Sequence, residues 1–329
     1  MHYLIVSIIL GFFFVLFNKY IAKKINLYDV PDSERKIHHK KTALTGGIFF
    51  FTNIIIYLFF EKYFITNNYS GLFFSSNSSD NIFILSIILL FLIGFIDDKI
   101  KLDHNLRFFL LILIISLNLL LTPELNISLI KVSFFKPFDI GEYSFFWTLI
   151  CFLLFINAFN FFDGLNLQSA GLILIMSIFF VNKNIYTEFF LVIMIINLFF
   201  LYLNYQSKIF LGNNGSYFIP FIFGSYFIKA YNSDITILAD EIVVLLLIPG
   251  LDLLRLFFQR ILNKKNPFKP DRQHLHHYLI MHYSSLNTAI TIQLLIWIPF
   301  IWSQIFEISL YVLFIQLILY SFIIFRYKN

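Results

Sequence analysis

Charge is scarce in this chain, and its scarcity excludes most classes of soluble protein. Only 13% of the 329 residues are charged, whereas 59% are hydrophobic and the mean hydropathy is +0.80. Soluble domains carry about 25% charged residues, so this chain has too few charges to cover a water-soluble globule of its size. The hydrophobic content also excludes a disordered chain, and the single cysteine, Cys151, excludes a disulfide scaffold. A membrane protein remains.

Eleven apolar segments predict membrane-spanning helices, because such a helix needs about 20 mostly apolar residues. They lie near residues 2–17, 45–65, 82–97, 106–122, 144–158, 169–182, 187–204, 216–231, 236–259, 287–303 and 307–326. Pro249 and Gly250 interrupt the segment 236–259, and we expect that helix to be broken there. The predicted fold class is an all-α, polytopic membrane helix bundle that forms one integral-membrane domain over residues 1–329.

Basic residues predict which side of the membrane each loop faces, since Lys and Arg are retained in cytoplasmic loops. When alternate loops are assigned to opposite sides, 19 of the 24 Lys and Arg residues lie on one side. The N-terminus is then outside and the C-terminus inside. The net charge of +5 requires no nucleic-acid partner, because topology and anionic lipid head groups account for it.

Polar residues concentrate in five loops on the predicted cytoplasmic side. These loops span residues 28–47, 92–107, 157–171, 210–216 and 266–277. Seven of the eight histidines are on this side as well. Polar clusters in five separated segments predict one composite site at the cytoplasmic surface of the membrane.

Each cluster also has a purely structural interpretation. The pair Asp97-Asp98 occurs where a helix end meets water, and the polar face of 157–163 is compatible with interhelical hydrogen bonds. The Gly-Asn segment 212–216 is also typical of a turn. The His-x-His-His segment 274–277 could bind zinc, but a structural zinc site needs four ligands and usually cysteine. Since polar residues at membrane depth are costly and usually functional, we favour a site.

Paired carboxylates beside amide oxygens predict a magnesium site, because Mg²⁺ prefers oxygen ligands and completes its shell with water and substrate phosphates. Arginine and lysine side chains from other loops would stabilise the charge on those phosphates. The residues therefore indicate phosphoryl-group transfer at the membrane surface, with one water-soluble and one lipid substrate.

The order and spacing of the five loops resemble those of the polyprenyl-phosphate N-acetylhexosaminyl-1-phosphate transferases. The fifth polar loop ends with the motif Asp-Arg-x-His-x-His-His. Within that family, this motif resembles the one in the undecaprenyl-phosphate GlcNAc-1-phosphate transferases more than the one in the distant phospho-N-acetylmuramoyl-pentapeptide transferase. The resemblance covers residues 28–278. The matching positions are Asp29, Pro31, Arg35, Lys36, His38, Gly46, Gly47, Asp97, Asp98, Arg107, Asn157, Asn160, Asp163, Gly164, Gly212, Gly215, Ser216, Asp252, Arg260, Pro267, Phe268, Asp271, Arg272, His274, His276 and His277.

The resemblance implies an enzyme that uses Mg²⁺, with Mn²⁺ as an alternative. It would transfer a sugar 1-phosphate from a UDP-N-acetylhexosamine to undecaprenyl phosphate, releasing UMP, as the first step of cell-surface polysaccharide assembly. The resemblance also implies a bacterial inner (cytoplasmic) membrane. The implied catalytic residues are Asp97, Asp98 and Asp163. The implied substrate-binding residues are Lys36, Arg107, Asn157, Asn160, Arg272, His274, His276 and His277, and the implied metal ligands are Asp98 and Asn213.

Three positions depart from the family's pattern. Asn213 and Asn166 stand where the family usually has Asp, and Leu167 stands where Gly is common. An amide contributes no negative charge, so weaker metal binding is expected. Two alternatives therefore stay open: a catalytically impaired member that acts as a lipid-binding scaffold, and a transporter or flippase. The identity of the sugar, the polysaccharide pathway and the oligomeric state, a homodimer included, are also open.

Overall fold

The computed structural model describes residues 2–31, 40–62, 77–233, 237–265 and 272–328. Within them, a helix of 15 or more residues lies at each of the eleven predicted segments. These helices are α1 (His2–Ile25), α2 (Gly46–Phe60), α3 (Asn77–Ile100), α4 (His104–Leu121), α5 (Ser144–Phe162), α6 (Gln168–Asn182), α7 (Thr187–Tyr205), α9 (Phe218–Asn232), α10 (Ala239–Leu262), α12 (Ser285–Phe306) and α13 (Ser309–Lys328). Two short helices, α8 (Asn213–Ser216) and α11 (Leu275–Ile280), lie between them. The predicted all-α fold class is confirmed.

Seven of the described helices are long and apolar enough to cross a membrane by length and composition: α1, α3, α4, α5, α7, α12 and α13. Helices α2 and α6 are apolar but shorter, with 15 residues each. Large apolar side chains on α13 point out of the bundle, among them Phe314 at 60% exposure and Phe322 at 60%. Since water would disfavour such a surface, it is suited to contact with lipid, and the chain is a polytopic membrane protein.

Helix α9 is the centre of the bundle. Its residues from Phe218 to Ile228 are all buried, because its sequence is apolar around the full circumference. Aromatic rings fill the space beside it. Phe180 of α6 stacks on Phe190 of α7 with ring centroids 4.0 Å apart, and Phe227 of α9 lies 4.7 Å from Phe180. The N-terminal end of α9 follows α8 directly, so the packed core fixes the position of α8.

The prediction that the segment 236–259 is broken at Pro249-Gly250 is wrong. Helix α10 continues from Ala239 through Pro249 to Leu262; residue 236 itself lies outside the described residues. Proline removes one backbone hydrogen bond from a helix. Here α5, α12 and α13 all pack against α10, and this packing outweighs the loss. The second half of α10 consequently carries Asp252 and Arg255 towards the site.

Two small antiparallel sheets were not predicted. Strands β1 (Tyr28–Asp29) and β2 (Thr42–Ala43) pair at the two ends of the first loop. Strands β3 (Leu129–Val132) and β4 (Phe135–Asp139) form a hairpin between α4 and α5. Ala43 also bridges to Ile209 in parallel. This bridge attaches the first loop to the connection between α7 and α8.

Candidate active site

Backbone hydrogen bonds join the first polar loop to the fourth. The N–H of Phe210 donates to the carbonyl of Ala43 at 2.8 Å, and the N–H groups of Gly46 and Gly47 donate to the carbonyls of Phe210 and Leu211. The first N–H groups of α2, which have no partner within their own helix, are satisfied in this way. The chain then turns at Gly212, where φ is +78°, a value that favours glycine. The turn places α8 beside the end of α3.

Asp98, near the end of α3, binds the start of α8. Its Oδ1 accepts the backbone N–H of Asn213 at 2.9 Å, and its Oδ2 accepts the backbone N–H of Asn214 at 2.9 Å. The side-chain amide of Asn214 also donates to Oδ2 at 2.5 Å. A Cβ atom on Gly212 would lie 2.7 Å from the same oxygen. The second and fourth loops are thus joined through one carboxylate.

Asp97 faces a different direction from its neighbour, because successive residues of a helix are rotated by about 100°. It is 4% exposed. It accepts hydrogen bonds from the N–H of Leu102, Nη1 of Arg107, Nδ2 of Asn213 and the hydroxyl of Tyr217. Asp97 therefore connects the α3–α4 turn, the first turn of α4, α8 and the start of α9.

The polar side chains at the end of α5 have different hydrogen-bond partners. Nδ2 of Asn160 donates to Oδ1 of Asn213 at 2.9 Å and to Oγ of Ser216 at 2.6 Å. Asn157, one turn earlier, instead donates to the carbonyl of Leu153 in its own helix at 2.7 Å. Asp163 is the C-cap residue of α5. The third loop therefore reaches the fourth through Asn160.

The three predicted histidines have different surroundings. Nδ1 of His274 lies 2.8 Å from Oδ2 of Asp252, and the two rings of His274 and His276 are stacked at 5.7 Å. His276 in turn lies against Gly164, where a Cβ atom would be 2.6 Å from its Cε1. Glycine at 164 permits this close approach. His274 is thus attached to α10, whereas His276 reaches the third loop.

A cavity of about 760 Å³ lies where the loops meet. Six of the residues predicted from the sequence line it: Asp98, Asn160, Asp163, Asn213, His276 and His277. Four others lie elsewhere in the described structure: Asp97 and Arg107 form their own ion pair at 3.3 Å, Asn157 bonds its own helix, and His274 bonds Asp252. Arg272 is exposed and is not among the described residues of the cavity wall. Lys36, together with Arg35, His38 and Asp271, lies outside the described residues.

Several residues of the cavity wall were not predicted as site residues. They are Lys40, Thr42, Leu44, Leu165, Asn204, Gln206, Ser207, Phe210 and Ser285. The first three belong to the first polar loop and Leu165 to the third, and both loops were predicted to be part of the site. The others lie at or after the end of α7, or at the start of α12, where polar residues resemble an ordinary helix end. Asn204 donates to the carbonyl of Ile209 and accepts from the N–H of Leu167, which keeps the third and fourth loops together.

Burial changes the protonation of two groups beside the cavity. It raises the pKa of Asp163 to about 7, and the charge of Asp98 adds to this rise, while a hydrogen bond from Ser169 lowers the value. Burial lowers the pKa of His276, and the nearby His277 and His274 lower it further. His276 is therefore neutral at physiological pH, so one ring nitrogen can donate a hydrogen bond while the other accepts one.

The donor set decides which metal would fit. Within the described part of the chain, no group of three or more His, Cys, Asp or Glu side chains is arranged to hold a metal ion. Asp98 and Asp163 line the cavity, and amide oxygens lie beside them. Such a set does not suit a closed zinc site. It fits Mg²⁺, which protein sites commonly bind through one or two carboxylates together with substrate phosphates.

Comparisons with known proteins show which sequences this chain resembles. The model of glycosyl transferase family 4 matches residues 81–231. A Bacillus subtilis (strain 168) protein named "Probable undecaprenyl-phosphate N-acetylglucosaminyl 1-phosphate transferase" is 27% identical over 250 residues, covering 70% of this chain and 69% of its own length. A Thermotoga maritima protein named "Undecaprenyl-phosphate alpha-N-acetylglucosaminyl 1-phosphate transferase" is 26% identical over 256 residues, covering 76% of this chain and 79% of its own length.

Proposed function

We propose that this chain transfers a sugar 1-phosphate to a polyprenyl phosphate, because residues 81–231 match the model of glycosyl transferase family 4 and both relatives are named as such transferases. The donor is a UDP-N-acetylhexosamine, the acceptor is undecaprenyl phosphate, and the products are a lipid-linked sugar diphosphate and UMP. The reaction takes place on the cytoplasmic face of a bacterial inner membrane and begins the assembly of a cell-surface polysaccharide.

One observation carries this proposal: carboxylates, amides and imidazoles from all five polar loops line a single cavity. Asp98, the pair Asn160 and Asp163, and His276 come from three segments far apart in sequence. All four residues lie on the wall of the 760 Å³ cavity. A cavity of this size suits a nucleotide-sugar. Polar groups from several elements are also what a phosphoryl-transfer site needs, since catalysis there depends on positioning and charge stabilisation.

A second, apolar cavity of about 410 Å³ supports the proposal that the acceptor is a lipid. It lies between α5, α9 and α10 and is lined by Trp147, Cys151, Phe155, Phe227, Leu246 and Leu254, among others. Such a surface is suited to an isoprenoid chain, whose burial would stabilise binding by roughly 25 cal/mol per Å² of apolar area. Ala158 and Leu251 are also part of its wall. Because Ala158 belongs to the third polar loop, the apolar cavity extends to the level of the polar loops.

We further propose Mg²⁺, or Mn²⁺ in its place, as the cofactor. Asp98 and Asp163 would hold it, since their carboxylates line the cavity. When bound, the cation would stabilise the negative charge that develops on the transferring phosphate. Asn160 and neutral His276 orient the substrate by hydrogen bonds. Lys40, which also lines the cavity, brings positive charge towards the phosphates.

The experiment is a UMP-release assay on the purified full chain. Undecaprenyl phosphate, Mg²⁺ and each of several UDP-N-acetylhexosamines are supplied, and UMP is measured. We expect release from at least one donor, loss of release when EDTA removes the metal, and loss in Asp98→Asn. The matched control is Asp103→Asn, which changes an exposed N-cap carboxylate five residues away to another good N-cap residue; it should retain activity.

No UMP from any donor, beside an active reference enzyme of the same family, would contradict the proposal. Such a result would favour a lipid-binding scaffold or a transporter. Equal loss in Asp98→Asn and Asp103→Asn would instead contradict the place given to Asp98.

A further inference from the structure

Tyr217 is a buried phenol outside every predicted motif, and it contacts the acidic pair. It is 1% exposed, and its hydroxyl donates to Oδ2 of Asp97 at 2.6 Å. The same oxygen accepts Nδ2 of Asn213 at 3.0 Å and Nη1 of Arg107 at 3.3 Å, while Oδ1 accepts the N–H of Leu102 at 2.9 Å. A carboxylate offers about four acceptor sites. Three donors converge on Oδ2 of Asp97 and one on Oδ1.

Asn213 connects this buried carboxylate to the cavity. Its Nδ2 donates to Asp97, its Oδ1 accepts from Nδ2 of Asn160 at 2.9 Å, and its backbone N–H donates to Asp98 at 2.9 Å. An aspartate at 213 would have no proton to donate to Asp97. Its carboxylate would instead lie about 3 Å from a second carboxylate, and like charges at that distance repel strongly. In this chain the amide of Asn213 therefore supplies Asp97 with a donor that an ionised aspartate lacks.

We propose that Asn213 and Tyr217 are positioning residues that hold Asp97 as a buried anchor, so that Asp98 alone of the acidic pair presents its carboxylate to the cavity. This assignment rests on the proposed function, since the placement of Asp98 matters for transfer at that cavity. Asp97 then accepts no proton from the lipid phosphate, and the side-chain oxygen of Asn213 is directed to Asn160 and not to a metal ion.

The first test exchanges the two partners. Asp97→Asn and Asn213→Asp are made singly and together. Asp97→Asn removes one acceptor oxygen and the charge that faces Arg107, and Asn213→Asp removes the amide donor. Each single variant should lower kcat about tenfold or more, the factor that corresponds to about 1.4 kcal/mol. The double variant restores one amide and one carboxylate in contact, with the same total charge. We expect it to regain most of the lost kcat and melting temperature.

An exchange at the start of α4 provides the matched control. Asp103→Asn with Asn105→Asp makes the same two substitutions on exposed residues, where the Asp103 side chain accepts the backbone N–H of Asn105. That double variant should keep wild-type kcat and melting temperature. If the Asp97/Asn213 double variant is as inactive as Asp97→Asn while its melting temperature recovers, Asp97 acts chemically and the proposal is overturned.

The second test is Tyr217→Phe, which removes one hydroxyl and keeps the ring. Because the hydroxyl of Tyr217 holds Asp97 in place, we expect its removal to lower kcat about tenfold. Because Tyr217 is not among the described residues of the cavity wall, the KM for the nucleotide-sugar should stay unchanged. An unchanged kcat, or a change in KM alone, would overturn the role of Tyr217. A merely structural contact would lower the melting temperature without this division between kcat and KM.

Failure of the proposed function gives a different pattern. In that case the wild type releases no UMP, but the melting temperatures of the two single variants and the double variant still form a thermodynamic cycle. Recovery in the double variant supports the hydrogen-bonded pair, and additive losses contradict it, whatever the reaction is.

Discussion

Leu167 holds a backbone conformation that leucine rarely adopts. Its φ is +72° and its ψ is −13°, in the left-handed region, and it directly precedes α6. For a residue with a Cβ this region costs about 1–2 kcal/mol. We expect Leu167→Gly to be more stable than Leu167→Ala by about 1 kcal/mol, because only glycine relieves the backbone strain. Thermal unfolding of the three proteins in the same detergent measures this.

Leu167→Ala is the control because it removes the same side chain and keeps the unfavourable φ. The backbone N–H of residue 167 donates to Oδ1 of Asn204 at 2.7 Å, and all three proteins retain this bond. A glycine variant less stable than the alanine variant would contradict the strain. Leucine at position 167 therefore lowers the stability of the backbone beside the site.

At the scale of residues, the sequence predicted that Asp97 and Asp98 are site residues but not that they make different contacts. Asp97 and Asp98 are adjacent and chemically identical, and their hydrogen-bond partners distinguish them: Asp98 binds the start of α8, whereas Asp97 also binds Arg107 and Tyr217. The same holds for the histidines: His274 bonds Asp252, whereas His276 lines the cavity. Such differences depend on contacts between residues about 20 to 120 positions apart, which local patterns do not encode.

At the scale of elements, α10, α11 and α13 meet in one buried network. Asp252 of α10 accepts from Nδ1 of His274 at 2.8 Å, from Nη2 of Arg255 at 2.8 Å and from the hydroxyl of Tyr320 at 3.0 Å. Nη2 of Arg255 also donates to the carbonyl of Gln273 at 2.6 Å. The last helix of the chain thereby holds the histidine segment against the site.

Removing the hydroxyl of Tyr320 tests this network. Tyr320→Phe leaves Nε of Arg255 without the acceptor that lies 2.8 Å away, and we expect a loss of about 1 kcal/mol in the free energy of unfolding. Tyr311→Phe on the same helix is the control, because Tyr311 is 68% exposed. Equal melting temperatures for the two variants would show that the network adds no stability.

Helix positions were predictable because each needs a long apolar run, and this signal is local. All eleven predicted segments contain a long helix within the described residues. The continuous course of α10 through Pro249 was not predictable, since it depends on the helices that pack against it. Nor was α8, whose four residues are held by Asp98 and not by their own propensity.

At the scale of the whole molecule, scarce charge and five polar loops predicted a resemblance to one family of membrane transferases. The match of residues 81–231 and the two relatives support that prediction. Apolar helices surround a polar cavity, and four of the chain's charged residues, Asp29, Lys40, Asp98 and Asp163, line it. Orientation in the membrane stays a prediction from the distribution of Lys and Arg.

That orientation can be measured because the chain has one cysteine. In a Cys151→Ala background, Glu142→Cys places a thiol on the exposed segment before α5, and Lys264→Cys places one on the exposed segment after α10. Since 19 of the 24 basic residues favour the side that holds Lys264, that side should be cytoplasmic. In right-side-out vesicles a membrane-impermeant maleimide should label Glu142→Cys at once and Lys264→Cys only after permeabilisation. The reverse order would invert the bundle and place the cavity outside the cell, where no UDP-sugar is supplied, so the proposed reaction would fail with it.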